Sequence, residues 1–251
     1  MSLIDFLEEF DPTKRTLGLV HCTPVLYGLP MLVQGEIRTR PCPVYDDRPM
    51  VYLFYGRPAF KPLANMVAGG IKEHLPMCLV LDAKLLGRAV RLLPFDSGGF
   101  DRYAPFVQPL DRVNFELTPR RDIPRRIVSA FYETNQAYFQ QMPVRREDDI
   151  SLLHPEARAI ARLAHDNAVA DDDDRRATIE VQLEENVSLA EALKAIVGPP
   201  FLMDEPATLD AIRVSGAVPI TYETYGRQRP TFYASQLYER VQRFFKRRRV
   251  L

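Results

Sequence analysis

An α+β domain is what this sequence predicts, and three observations carry the prediction. Short apolar runs of strand length at residues 17–20, 51–55 and 77–81 each lie beside proline, glycine or polar turn residues. Residues 178–183 alternate strictly, with Ile179, Val181 and Leu183 on one side and Thr178, Glu180 and Gln182 on the other. Residues 123–141 and 235–251 carry apolar side chains at helical spacing. With 251 residues, 46% apolar and 26% charged, the chain can bury a sizeable core as an ordinary globular protein. Formal charge is balanced, so no global attraction to nucleic acid or anionic membrane follows. No apolar run reaches bilayer length, and the acidic start lacks a secretory layout, so the expectation is a cytoplasmic chain with no membrane partner. The three cysteines Cys22, Cys42 and Cys78 have no paired spacing, which predicts reduced thiols and no metal site.

Taken in order, Leu3, Ile4, Phe6, Leu7 and Phe10 fit a short amphipathic helix ended by Asp11-Pro12. The first strand then runs into His21-Cys22-Thr23, and Pro24 turns the chain outward, leaving His21 and Thr23 near the rim of a sheet. Strand neighbours point to opposite faces, so Cys22 and His21 do not form a reactive pair. Residues 25–36 are either a helix or an irregular connection, because Gly28 and Pro30 weaken a helix. Residues 38–47 read as a loop, and 51–55 form the second strand, closed by Gly56-Arg57-Pro58. Two strands ending in polar and ring-bearing groups either line a cleft or are core strands with polar ends. Gly69-Gly70 is a flexible link to the strand at 77–81. A fourth strand at 89–93 enters Asp96-Ser97-Gly98-Gly99, a turn whose backbone can approach a ligand or another strand. It lacks the Lys-Ser/Thr pair and the following helix signal of a phosphate loop.

In the second half, 123–141 predicts one long helix, with Pro124 near its start and Ile127, Phe131, Thr134 and Tyr138 on one face. Residues 154–167 predict another, with Ala157, Ile160, Ala161 and Ala164 as its stripe. The acidic run at 171–174 reads as a solvated loop, since adjacent aspartates cannot all turn to one ion. After the alternating strand come a short helix at 190–194, a strand at 195–197, a small helix at 208–214 and a late strand at 218–224. The closing helix, 235–251, turns Leu237, Val241 and Phe244 or Phe245 inward and ends in four basic residues suited to a helix C-terminus. No repeat or boundary appears, so residues 1–251 read as a single domain with a helical insert near 122–167 and a basic C-terminal helix.

A strand ending in His-x-Thr, a second strand reading YLFYGRP, and a late strand with one glutamate in TIEVQLEENVSL together resemble the ADP-ribosyltransferases. The order resembles the diphtheria-toxin and poly(ADP-ribose)-polymerase branch, whose His–Tyr–Glu signature lies on three strands. The run DDRPMVYLFYGRPAF also resembles bacterial DNA-targeting ADP-ribosyltransferase toxins. This resemblance implies a split, mainly antiparallel sheet around an NAD cleft with flanking helices. It implies that NAD is cleaved without a metal and that ADP-ribose passes to a nucleic acid or a protein. A toxin or defence role with an antitoxin partner, an NAD glycohydrolase, and an inactive binding module of the same fold all belong to that expectation. By residue, the resemblance makes Glu180 and His21 catalytic, with Gln182 beside Glu180; His21 hydrogen-bonds the adenosine-side ribose, with Thr23 fixing its orientation. Tyr52 or Tyr55 stacks on nicotinamide, and Arg57 meets the pyrophosphate or acceptor. The reaction passes through an oxocarbenium-like state, which a fixed carboxylate stabilises more than the ground state. His21 and Glu180 are therefore expected to converge across one groove.

Overall fold

Each of the apolar runs forms a strand, and the helices cover both faces of the sheet they make. The computed structural model describes residues 2–42, 44–46, 48–60, 71–166, 174–226 and 228–251. The main strands are β1 (Leu19–Pro24), β2 (Pro49–Tyr55), β3 (Pro76–Leu81), β4 (Arg91–Leu93), β5 (Glu180–Leu183), β6 (Leu193–Gly198) and β7 (Val218–Thr221). Their order across the sheet is β7-β6-β3-β1-β2-β5-β4, with the two-residue strand Arg40–Pro41 added beside β2. Neighbours are antiparallel except β6 and β7, which run parallel. The fold is thus mixed helix and sheet, as expected, with a mainly antiparallel sheet. Gly69-Gly70 and Asp171 to Asp173 lie outside the described residues.

Alternation gives the sheet two different faces. Leu19, Leu53, Leu79 and Val181 belong to the larger core, shared with α1 (Leu3–Glu8), α2 (Val25–Gln34), α3 (Phe100–Val107), α4 (Ile123–Tyr132) and α6 (Pro155–His165). Val20, Phe54, Cys78 and Val80 point the other way, towards Leu237, Val241, Phe244 and Phe245 of the last helix, α8 (Ala234–Arg247). A small helix, α7 (Pro206–Ser215), precedes β7.

Residues 25–34, left open by the sequence, are helical. A Cβ at Gly28 would lie 2.1 Å from Met77 Sδ, so the glycine that lowers helix propensity is what lets α2 lie against β3. The burial of Val25 and Leu32 outweighs the hydrogen bond that Pro30 removes. The predicted long helix at 123–141 needs correction, because it is two helices: α4 and α5 (Asn135–Phe139). Glu133 takes a positive φ of 62°, and the Thr134 side chain accepts the Ala137 N–H to start α5. The helix α3 directly after the Ser97-Gly98-Gly99 turn is likewise a correction, since no helix signal was read there.

The break in the helix serves the sheet. It turns Tyr138 inward, where its hydroxyl donates to the Tyr55 carbonyl at 2.9 Å and accepts the Ile179 N–H at 3.0 Å. One buried side chain therefore ties the end of β2 to the residue preceding Glu180, beside the Tyr55 N–H to Ile179 O bond at 2.9 Å. Tyr138→Phe leaves the buried Ile179 N–H without its partner, while the Tyr55 carbonyl keeps the Arg57 N–H at 2.8 Å, and is expected to cost about 1–3 kcal/mol. Urea unfolding of the variant, with an unchanged m-value, measures it.

Candidate active site

The polar side of β5 is buried, which is unusual for a strand that reads as apolar-in and polar-out. Glu180 and Gln182 are both 0% exposed. On the flanking strands β2 and β4, Phe54 and Leu93 lie opposite Glu180 and Tyr52 and Arg91 opposite Gln182, and the turn after β4 lies against both side chains. Glu180 Oε2 accepts the Ser97 backbone N–H at 3.1 Å, and Oε1 accepts the Gln182 Nε2 amide at 2.5 Å. Gln182 Nε2 also reaches Ser97 Oγ at 3.3 Å. The glycine turn after β4 thus brings its backbone onto the carboxyl. Asp96 in that turn pairs with Arg175 at 3.1 Å, and its N–H donates to the Arg175 carbonyl at 3.1 Å, fixing the turn to the segment that leads into β5.

Burial raises the Glu180 carboxyl to about 8, helped by the Asp96 charge and opposed by the Gln182 and Ser97 hydrogen bonds. Glu180 is therefore largely protonated in the free protein at neutral pH. Tyr52 shares this face. Its hydroxyl meets Cys42 Sγ, and burial first, then Cys42 and the Glu180 charge, raise its ionisation far above the usual phenol range. Beyond Gln182 the polar chain continues outward. Arg91 Nη1 donates to Gln182 Oε1 at 2.7 Å, its Nε pairs with Glu116 at 3.0 Å, and its Cζ lies 3.8 Å from the centre of the Tyr45 ring. Arg112 Cζ sits 4.6 Å from the same ring centre.

His21 is elsewhere. Opposed residues of an antiparallel pair share a face, and the register sets His21 against Leu79, on the side of the larger core. Glu180 opposes Phe54, on the other side. This corrects the expectation that His21 and Glu180 face each other across one groove, because the ladder β1-β2-β5 keeps a constant parity from one strand to the next. The two are linked through β2. The β1–β2 ladder holds two pairs, Leu19 with Tyr55 and Val20 with Phe54, and beyond them His21 Nδ1 bonds to the Tyr52 carbonyl at 3.0 Å. Burial, and secondarily the Arg40 charge, lower the His21 ionisation below the usual imidazole value against the opposing effect of that carbonyl, so its ring is neutral at neutral pH. Cys22 faces Cys78 across β3, away from His21, as alternation predicts.

Of the remaining predicted residues, Thr23 is buried opposite Met77 on the His21 side. Tyr55 is a core residue on that side too, its hydroxyl accepting the Leu17 N–H at 3.0 Å. Tyr52, not Tyr55, is the tyrosine that shares a face with Glu180. Arg57 is turned inward, donating to the Ala177 carbonyl at 3.2 Å and Thr178 Oγ1 at 3.0 Å, so it braces the approach to β5. Among the described residues, no group of His, Cys, Asp and Glu side chains could hold a metal ion, and no helix is long and apolar enough to cross a membrane. Ser97, Asp96, Arg175 and Arg91 were not singled out as site residues from sequence. The glycines of the turn were the one local signal, and they mark a close backbone approach without naming its partner. No protein-family profile matches the sequence, and no curated protein matches it either.

The carboxyl's raised value has a measurable sign. Between the ordinary glutamate value of 4.5 and about 8, the folded chain holds a proton that the unfolded chain has released. Its contribution therefore makes stability fall as pH rises through that window, by on the order of a few kcal/mol. Urea midpoints at pH 5, 7 and 9 should fall for the wild type and fall less steeply for Glu180→Gln.

Proposed function

We propose that this chain cleaves the bond between nicotinamide and ribose in NAD and passes ADP-ribose to a macromolecular acceptor, nucleic acid or protein. The observation that carries the reading is Glu180 itself: a buried carboxyl with two hydrogen-bond donors, on a strand adjoining the one that bears Tyr52, which in turn adjoins the one that bears His21. The resemblance implies a His–Tyr–Glu set on three separate strands, and these three residues lie on three.

Each group has a role that its surroundings suit. Positive charge grows on the ribose as nicotinamide leaves, and an ionised Glu180 in a dry site opposes it strongly. A ribose hydroxyl takes the place of the Gln182 amide on one carboxylate oxygen, while the Ser97 N–H keeps the other oriented. Tyr52 offers its ring on the same face for nicotinamide. His21, neutral and anchored through Nδ1, makes no hydrogen bond through Nε2 among the described residues and presents that nitrogen to the adenosine-side ribose. Because the two lie on opposite sides of the sheet, a dinucleotide that meets both has to cross it where β1 and β2 stop pairing. A split of the sheet at that point belongs to this reading. Thr23 and Arg57 act by supporting the frame, and a toxin or defence role with an antitoxin partner rests on the resemblance alone.

Labelled NAD incubated with the full chain and a cell lysate tests the reading. Label should appear on nucleic acid or protein, and Glu180→Gln should lower the rate at least about a hundredfold. Tyr52→Ala should weaken NAD use, while Tyr55→Phe should leave kcat within about threefold. Activity should rise with pH through about 8, where Glu180 ionises. Free ADP-ribose alone would make the chain a glycohydrolase. Intact NAD with the wild type, or undiminished turnover by Glu180→Gln, would overturn the proposal.

A further inference from the structure

We propose that Arg91 is a positioning residue for Glu180, acting through the side-chain amide of Gln182. The inference rests on the role given to Glu180 above, but its geometry does not. A guanidinium only donates hydrogen bonds. Arg91 Nη1, 2.7 Å from Gln182 Oε1, therefore obliges the amide to turn its oxygen outward and its amino group inward. Inward lie Glu180 Oε1 at 2.5 Å and Ser97 Oγ at 3.3 Å. An amide donor at that place favours the ionised carboxylate, which accepts, over the neutral acid, which must donate.

Arg91 is held for this task. Its Nε pairs with Glu116 at 3.0 Å, and its guanidinium lies against the Tyr45 ring. Arg112 covers the same ring and pairs with Glu116 at 3.8 Å. Arg91 thus comes to Gln182 from a fixed direction, and Gln182 cannot rotate without losing its acceptor contact. Without the arginine, the amide is free to turn over and present Oε1 to Glu180, which can then be met only by a protonated carboxyl.

The other groups facing Glu180 are fixed independently. Asp96, paired with Arg175, raises the carboxyl from the turn after β4, and Tyr52 faces it from β2 with its hydroxyl on Cys42. The Ser97 N–H comes from backbone. None of these contacts passes through Arg91, so altering Arg91 changes the amide and the arginine's own charge and Glu116 pair, which the Gln182→Leu background separates.

The test is a pH titration of the Glu180 carboxyl by 13C NMR on the full chain, with the resonance assigned by its loss in Glu180→Gln. Arg91→Ala should raise the midpoint by about one pH unit. Arg91→Lys, which still donates, should return it to within about half that shift. Gln182→Leu should raise the midpoint comparably, and adding Arg91→Ala to Gln182→Leu should raise it no further. An unmoved midpoint in Arg91→Ala overturns the proposal. So does a shift that persists undiminished in the Gln182→Leu background, which would mean that the arginine charge acts directly. Thermal melting of each variant confirms that the folded state is being titrated, and Arg91→Met, which keeps the apolar stem but cannot donate, replaces Arg91→Ala if the latter does not fold. NAD turnover supplies the second readout: Arg91→Ala should lower kcat/KM for NAD about tenfold at pH 7 and less at pH 9, with most of the loss in KM. If the wild type leaves NAD intact, the functional reading fails while the titration still decides the role of Arg91.

Discussion

A carboxyl buried away from solvent must either find donors or keep its proton, and Glu180 does some of each. The backbone N–H of Ser97 and the amide of Gln182 meet its two oxygens, yet burial and the nearby Asp96 still hold it well above the ordinary glutamate range. That balance depends on several distant pieces of chain meeting at one strand. The turn after β4 supplies Ser97, the Asp96–Arg175 pair pins that turn, and Tyr138 ties Ile179 to the end of β2. A loss at any of these points moves a donor away from a group that cannot be rescued by solvent.

The order of the strands turns this local balance into a candidate site. His21, Tyr52 and Glu180 lie on three adjacent strands, although chain separation between the first and last is large. Adjacency alone does not make them face each other. Constant parity through the paired registers sends His21 to the larger core and Glu180 to the opposite face. What joins them is the main chain of Tyr52, whose carbonyl meets the imidazole while its ring lies on the Glu180 side. A dinucleotide that touches both has to cross the sheet where β1 and β2 stop pairing.

Much of the fold was legible because its signals are local. Apolar runs beside turn residues located β1, β2 and β3, and alternation placed Ile179, Val181 and Leu183 on one side of β5. The amphipathic pattern of the last helix turned Leu237, Val241 and one of Phe244 and Phe245 inward, and all four are buried. What was not legible depends on partners far away in sequence. The break at Glu133 follows from the need to bring Tyr138 under the sheet, and the helical state of 25–34 follows from Met77 packing on Gly28. At the site, alternation identified the polar row of Glu180 and Gln182 but could not show that the turn at Ser97 lies against it. Nor could it choose between Tyr52 and Tyr55, since that depends on which face each strand register turns towards Glu180.

The central claim is that NAD meets a protonated Glu180 and draws it towards the ionised form by placing a ribose hydroxyl on its carboxylate. Calorimetric titration of NAD into the full chain at pH 7, in buffers of different ionisation enthalpy, measures the protons exchanged on binding. The account predicts net release approaching one proton for the wild type and none for Glu180→Gln. Binding with no proton release from the wild type, or the same release from both proteins, would contradict it.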